Sequence, residues 1–219
     1  MKTYLKVIFG IAALLVPVIV VLVAVRILLS PLFIQAEYRL PGFPEDTYGF
    51  SFEERLYWAN ISRLYLLNQE DIRFLADKEL DETTPLYNPR ELRHMEDVKV
   101  VVKGAINVLY GSLVLAAGLG FWAKRADLWR MYKRAVSNGG WLTVALIITV
   151  LVYLGLNFNS LFTNFHMIFF EGDTWLFRYS DTLIRLFPIR FWQDAFIWIG
   201  IFALVSGAGL GYFWRESGR

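Results

Sequence analysis

The 219-residue chain has no cysteine and only two histidines. Without cysteine there is no disulfide, no thiolate nucleophile and no thiolate metal ligand, so any segment outside a membrane must hold its shape by packing alone. No HExxH pair occurs, which leaves a metal centre only a two-histidine, one-carboxylate set using Asp97 or Glu171. The absence of a G-x-S-x-G elbow argues against a serine hydrolase. Charge is nearly missing from the interiors of the apolar runs. Arg26, Lys99 and Lys103 lie near their ends, where long side chains snorkel, so no ion pathway is visible and a transporter is disfavoured. There is no internal repeat, low-complexity tract, heptad run or linker to define a second domain. The formal charge of +2 gives no reason to expect nucleic-acid binding.

Apolar residues, by contrast, are in surplus. With 56 % hydrophobic residues, the chain holds more apolar surface than a soluble core of this length hides, and the excess calls for lipid. A hydrocarbon layer of about 30 Å takes roughly 20 helical residues. Four runs are long enough, at about 7–29, 100–122, 141–158 and 195–214. The end of the third is ambiguous, because Asn157, Asn159 and Asn164 interrupt a stretch that stays apolar to Phe170. The first follows Lys2 and Lys6 but is too long for a signal core and has no small-residue cleavage site before Pro31, so it reads as a retained helix. Pro17 removes one hydrogen bond near its middle and predicts a bend.

Lysine and arginine near a span resist translocation. Residues 124–140 carry Lys124, Arg125, Arg130, Lys133 and Arg134 against Asp127 alone, which marks this connection as cytoplasmic. Residues 31–97 hold seven basic and fourteen acidic side chains, and residues 158–194 hold three and four. Both segments are therefore expected outside. Lys2, Lys6, Arg215 and Arg219 agree, giving cytoplasmic termini. The fold class predicted is an all-α integral membrane protein: a single membrane domain over residues 1–219, a multi-pass protein of the cell membrane. A small helical extracytoplasmic cap is built from 31–99 and interfacial segments from 159–194.

The first outer segment is too long for a bare connector. Ser51 and Glu54 have capping-box spacing ahead of an apolar stripe of Leu56, Tyr57, Ile61, Leu64, Tyr65 and Leu67. A short helix is predicted over Glu70 to Lys78, closed by Thr84-Pro85. Asn88, Pro89 and Glu91 then form a cap, first helical residue and second box, and no breaker follows until Gly104. One helix is predicted from Pro89 into the second span, which puts His94 on the order of 10 Å above the apolar run beginning near Val100. The second outer segment is rich in Phe, Trp and Leu, as suits the membrane interface. Asp181 is placed to cap a short turn through Leu183, Ile184, Leu186 and Phe187, stopped by Pro188.

Both histidines, His94 and His166, thus fall on one side of the membrane at similar depth. Histidine titrates nearest neutrality, so two together can take and return protons. In ELRHMEDVK, Glu91 and Asp97 lie three residues either side of His94, and either carboxylate could orient the imidazole. Arg93, Glu96 and Lys99 point elsewhere. In NFHMIFFEGDTWLF, Glu171 and Asp173 follow His166, Gly172 permits a turn, and Asp173 also suits a turn role. The plainer reading of each histidine is an ordinary amphipathic interface residue.

Taken together, ELRHMEDVK before the second span, FHMIFFEGDTWLF after the third, and DTLIRLFP resemble the bacterial lipoprotein intramolecular transacylase (Lit) family of four-helix membrane proteins. The resemblance covers most of the chain. It implies an extracytoplasmic cap on four helices, with His94 and His166 catalytic and no cofactor. It further implies transfer of the sn-2 acyl chain of a diacylglyceryl-modified lipoprotein to the amino group of that lipoprotein's N-terminal cysteine. Partners would be such lipoproteins and membrane lipid, with no nucleic acid. A neutral imidazole would deprotonate the amine and an imidazolium would protonate the departing glyceryl oxygen, with either histidine in either part. Tyr57, Tyr65, Trp175, Phe165, Phe169 and Phe170 are candidate walls, and Tyr65 or Asn164 candidate donors to the oxyanion. The alternative is a non-enzymatic membrane scaffold or lipid- or protein-binding protein that docks through its acidic outer cap.

Overall fold

Helices dominate because the apolar runs have no water to satisfy their backbone and must bond internally. The structure is a computed structural model that describes residues 3–215; Lys2 and Arg219 lie outside them. In order the elements are α1 (Thr3–Leu28), α2 (Pro31–Glu37), α3 (Phe52–Leu67), α4 (Arg73–Ala76), β1 (Glu79–Asp81), β2 (Thr84–Pro85), α5 (Pro89–Arg125), α6 (Trp129–Leu156), α7 (Phe158–Phe169), α8 (Thr182–Leu186) and α9 (Ile189–Phe213). Among the described residues four helices, α1, α5, α6 and α9, are long and apolar enough to cross a membrane.

The chain divides into two compact units. The first comprises the segments up to Arg26, Ile106–Leu156 and from Ile197 onward, and is held by small residues at helix contacts. A Cβ on Gly139 would lie 2.4 Å from the Ala13 carbonyl oxygen, and one on Gly140 would lie 2.5 Å from that of Gly207. Only glycine admits such approach, the usual device where lipid supplies no hydrophobic drive between helices. The Ser137 hydroxyl donates to the Gly211 carbonyl at 2.7 Å across the same contact. Between α5 and α6 the chain turns in three residues, with Asp127 at φ 57°, a left-handed position that aspartate tolerates. Helix α6 therefore begins at Trp129, about three turns before the apolar run expected from Trp141, and Arg130, Lys133 and Arg134 are helical rather than in a loop.

The ambiguous end of the third span resolves at Asn157. Helix α6 stops at Leu156, and the Asn157 side chain accepts from the Ser160 amide at 2.9 Å to cap a separate helix, α7. Its apolar and buried positions fall on different faces, with His166 inward while Met167, Ile168 and Phe169 are exposed.

The second unit spans Ile27–Ala105 and Asn157–Phe196. The Ser51–Glu54 box is formed in both directions. The short helix expected over Glu70 to Lys78 is only α4, and Thr84-Pro85 is a strand: residues 79–85 make a small antiparallel hairpin pairing Glu79 with Pro85 and Asp81 with Thr84. The Asp81 carboxylate accepts from the Thr83 and Thr84 amides at the turn, a local bond that competes with helix. Helix α2, with Ser30 as cap and Pro31 first, is a further element that the sequence reading did not separate from its loop. Buried polar ties join the segments of this unit. Arg55 donates to the carbonyls of Pro44 and Arg185, and Arg185 pairs with a nearly inaccessible Asp46 at 3.0 Å. Tyr38 donates to the Leu186 carbonyl.

Candidate active site

His94 stands on the second turn of α5, whose start is fixed as the sequence predicts. The Asn88 side chain accepts from the amides of Arg90 and Glu91, and Glu91 returns the bond to the Asn88 amide at 2.8 Å. His166 stands on α7, four residues after Phe162 and four before Phe170, so the three share one face. The two histidines meet. Their ring centroids are 6.1 Å apart with planes inclined by 22°, and each residue is only 8 % exposed.

Aromatic rings enclose them. Phe170 stands edge-on to His94 at 5.0 Å and lies 5.5 Å from His166, while Phe177 stands edge-on to His94 at 5.3 Å. Phe162 and Trp175 lie 4.1 and 4.8 Å from the His166 ring, and Phe165 is 5.6 Å away. Phe169 packs on Phe165 instead. Few water molecules can stand here, and burial disfavours the charged form of each imidazole. Both histidines precede or follow the apolar runs rather than lying in them, and both are held below the usual imidazole range. For His94 the cause is burial first and the neighbouring His166 second; for His166 it is burial, partly opposed by its backbone hydrogen bond.

That hydrogen bond fixes the tautomer. His166 Nδ1 lies 2.8 Å from the Phe162 carbonyl oxygen, which can only accept, so Nδ1 carries the proton and Nε2 of the neutral ring keeps its lone pair. His94 Nδ1 is buried and has no hydrogen-bond partner. Among the described residues no carboxylate is paired with either imidazole.

The expected carboxylate partners are placed otherwise. Glu91, 1 % exposed, is turned to backbone, with Oε2 on the Asn88 amide and Oε1 on the Leu183 amide at 2.6 Å. It ties α5 to α8 and does not reach His94. Asp97 is half-buried and makes no bond to the ring. Asp173 pairs with Arg90 at 3.3 Å on the surface, and the same guanidinium donates to the carbonyls of Asp173 and Leu176. Thus Arg90 clamps the loop that carries Trp175 and Phe177. Tyr57 is exposed and packs on Trp58. Tyr65 is buried beneath the Lys99 ammonium, 3.8 Å from its ring centre, and against Phe74. Asn164 lies exposed on α7. Of the walls named from sequence, Trp175, Phe165 and Phe170 reach the histidines; Tyr57, Tyr65 and Phe169 do not. Phe162, Phe177 and Arg90 escaped the sequence reading. The four-residue step from Phe162 to His166 was the available signal for the first. Among the described residues no group of three or more His, Cys, Asp and Glu side chains converges to hold a metal.

Four long apolar helices define a membrane-integral protein, and its two histidines form a buried imidazole pair walled by aromatic rings. The profile of the family "Lipoprotein intramolecular transacylase Lit" matches residues 8–192, and the chain belongs to this family of membrane enzymes. It is 29 % identical over 206 residues to an uncharacterized protein of Aquifex aeolicus (strain VF5), covering 92 % of this chain and 90 % of the other. The fold is similar to that of the membrane integral lipoprotein intramolecular transacylase Lit from Bacillus cereus, with a TM-score of 0.77 at 20 % identity over 94 % of this chain and 92 % of that one. A variant of the Bacillus protein with one histidine changed to arginine aligns with a TM-score of 0.67 at 17 % identity, over 97 % and 91 %.

Proposed function

We propose that this protein moves the sn-2 acyl chain of a diacylglyceryl-modified lipoprotein to the amino group of the same lipoprotein's N-terminal cysteine, with His94 and His166 as its acid–base groups. The observation that carries the reading is the pair of buried imidazoles 6.1 Å apart, within reach of one ester, in a chain of the transacylase family. Neutral rings are what the reaction calls for. The cysteine nitrogen arrives as an ammonium and must lose two protons. His94 takes the first, freeing the lone pair that attacks the ester carbonyl. His166 Nε2, presented by the Phe162 hydrogen bond, takes the second from the tetrahedral adduct. The new C–N bond stays, the carbon–oxygen bond to glycerol breaks, and the His94 imidazolium gives its proton to that oxygen. His166 then releases its proton to water. Nucleophile and ester belong to one molecule, so holding them in a near-attack pose supplies much of the rate, up to about 7–11 kcal/mol in well-oriented systems.

The same reading places the second unit, with both histidines, on the extracytoplasmic side and both termini in the cytoplasm, in keeping with the cations of residues 124–134. Residues 1–219 then act as one membrane domain, and the lipid surface delivers the substrate.

Mass spectrometry of a diacylglyceryl model lipoprotein after incubation with the protein tests the activity. A lyso-form N-acylated product is expected, with near-complete loss in His94→Ala and in His166→Ala. Failure of the acyl chain to reach the cysteine nitrogen overturns the assignment. Orientation is read separately. Tyr179 is 78 % exposed, and Tyr179→Cys in this cysteine-free chain is expected to react with a membrane-impermeant maleimide on intact cells; labelling only after lysis reverses the topology.

A further inference from the structure

Native chains leave few buried polar atoms without a partner, because each costs about 1–3 kcal/mol. The loop 173–177 carries two. Trp175 is half-buried as a residue, yet its indole Nε1 is inaccessible and unpartnered, and Thr174 Oγ1 is in the same state. The indole ring lies 4.8 Å from the His166 ring. Looseness does not explain the missing partner, since Arg90 holds the carbonyls of Asp173 and Leu176 on either side of the pair. An indole N–H only donates. What it lacks is therefore an acceptor, and the imidazole beside it is where one would be brought.

We propose that the Trp175 indole N–H is an oxyanion donor of the acyl transfer. This rests on the transacylase reading and adds to it a group that touches the reacting atoms. When the amine nitrogen bonds to the ester carbon, the carbonyl π pair moves onto oxygen, and the Trp175 N–H donates to that oxygen without surrendering its proton. When the bond to the glyceryl oxygen breaks, the pair returns and the hydrogen bond weakens. The contact is thus strongest in the transition state, where it lowers the barrier rather than merely binding substrate. A neutral donor suffices, because the surrounding rings exclude water and the N–H is fixed before the charge develops. Neither donor expected from sequence is as well placed: Tyr65 is packed under Lys99, and Asn164 is on the exposed face of α7.

The test is Trp175→Phe, which keeps a ring beside His166 and deletes the N–H. Parent, Trp175→Phe and His166→Ala are assayed on a synthetic diacylglyceryl lipopeptide in detergent-lipid micelles. The expected result is a kcat lower by roughly 10²–10³-fold, the usual loss for one oxyanion donor, with KM, the acid limb of the pH profile and Tm unchanged. A parent-like kcat overturns the donor role. So does a loss that comes with raised KM or a displaced acid limb, since the indole would then be packing substrate or tuning His166. If Trp175→Phe does not fold by Tm, benzothienylalanine at position 175, which keeps the bicyclic ring and replaces N–H by sulfur, is measured against the same criteria. An inactive parent overturns the transacylase reading and this proposal with it. An active parent, inactive His166→Ala and fully active Trp175→Phe overturn the donor role alone.

Discussion

Glu91 separates two accounts of the centre. Three residues before His94, it is the natural carboxylate partner of that imidazole on a helix, but its oxygens are spent on the amides of Asn88 and Leu183 at 2.8 and 2.6 Å. Glu91→Ala deletes both acceptors. The Leu183 amide belongs to a residue only 6 % exposed, so its lost partner costs about 1–3 kcal/mol. Loss of the α5 box adds about 0.5–2 kcal/mol. The sum, roughly 1.5–5 kcal/mol, corresponds to a fall of about 3–20 °C in Tm for a chain of this length. Thermal unfolding in detergent, followed by circular dichroism, measures it. Transacylation by the fraction that stays folded is expected to keep its pH profile, because both oxygens of this carboxylate are bonded to backbone amides rather than to an imidazole. A Glu91→Ala protein with parent Tm and abolished activity, or with a displaced acid limb, would refute the tether and restore Glu91 as a partner of His94.

Arg90→Ala frees the loop that carries Trp175 and Phe177; because the Arg90–Asp173 pair is exposed it contributes little to stability, so Tm is expected to fall by no more than about 4 °C while the amides of 173–177 exchange faster with deuterium. Gly140→Ala sets a Cβ 2.5 Å from the Gly207 carbonyl oxygen, an overpacking expected to cost about 1–3 kcal/mol or more. Gly155→Ala, with no atom near its Cβ, is the control, expected to be neutral or slightly stabilising in the same melt. Burial lowers both imidazole pKa values in the fold, so below about pH 6.5 the unfolded chain takes up protons first. Stability present above that value is then lost on acidification. Tm is expected to fall more steeply from about pH 7 to about pH 5 in the parent than in the double variant His94→Asn/His166→Asn, and equal slopes would contradict the shifts.

Where a residue's role is local, the sequence was readable. The Ser51–Glu54 and Asn88–Glu91 boxes, the continuous α5 from Pro89 and the four apolar helices follow from spacing, composition and the absence of breakers. Tertiary use of a side chain was not. Glu91 satisfies its box and also reaches Leu183, 92 positions away, and no periodicity announces such a partner. The break at Asn157 lay hidden among three asparagines with similar propensity, and only the one that caps Ser160 ends a helix. Tyr65 sits on the apolar stripe of α3 as expected, yet its ring is covered by Lys99 rather than turned to the histidines. The meeting of His94 with His166 was inferred from membrane side and depth, while the rings around them came from a loop whose course depends on the Arg90 clamp.

The hydrogen bond from His166 to Phe162 has a consequence for how this imidazole responds to its surroundings. Many histidines are oriented by an acidic side chain, and their proton affinity then follows the ionisation of that acid and the salt around it. Here the anchor is a peptide carbonyl one helical turn away, with no charge to titrate or to be screened. The tautomer of His166 is accordingly set by a group that keeps its accepting role at every pH, so the free nitrogen stays presented in the range where an anchoring acid would lose its charge.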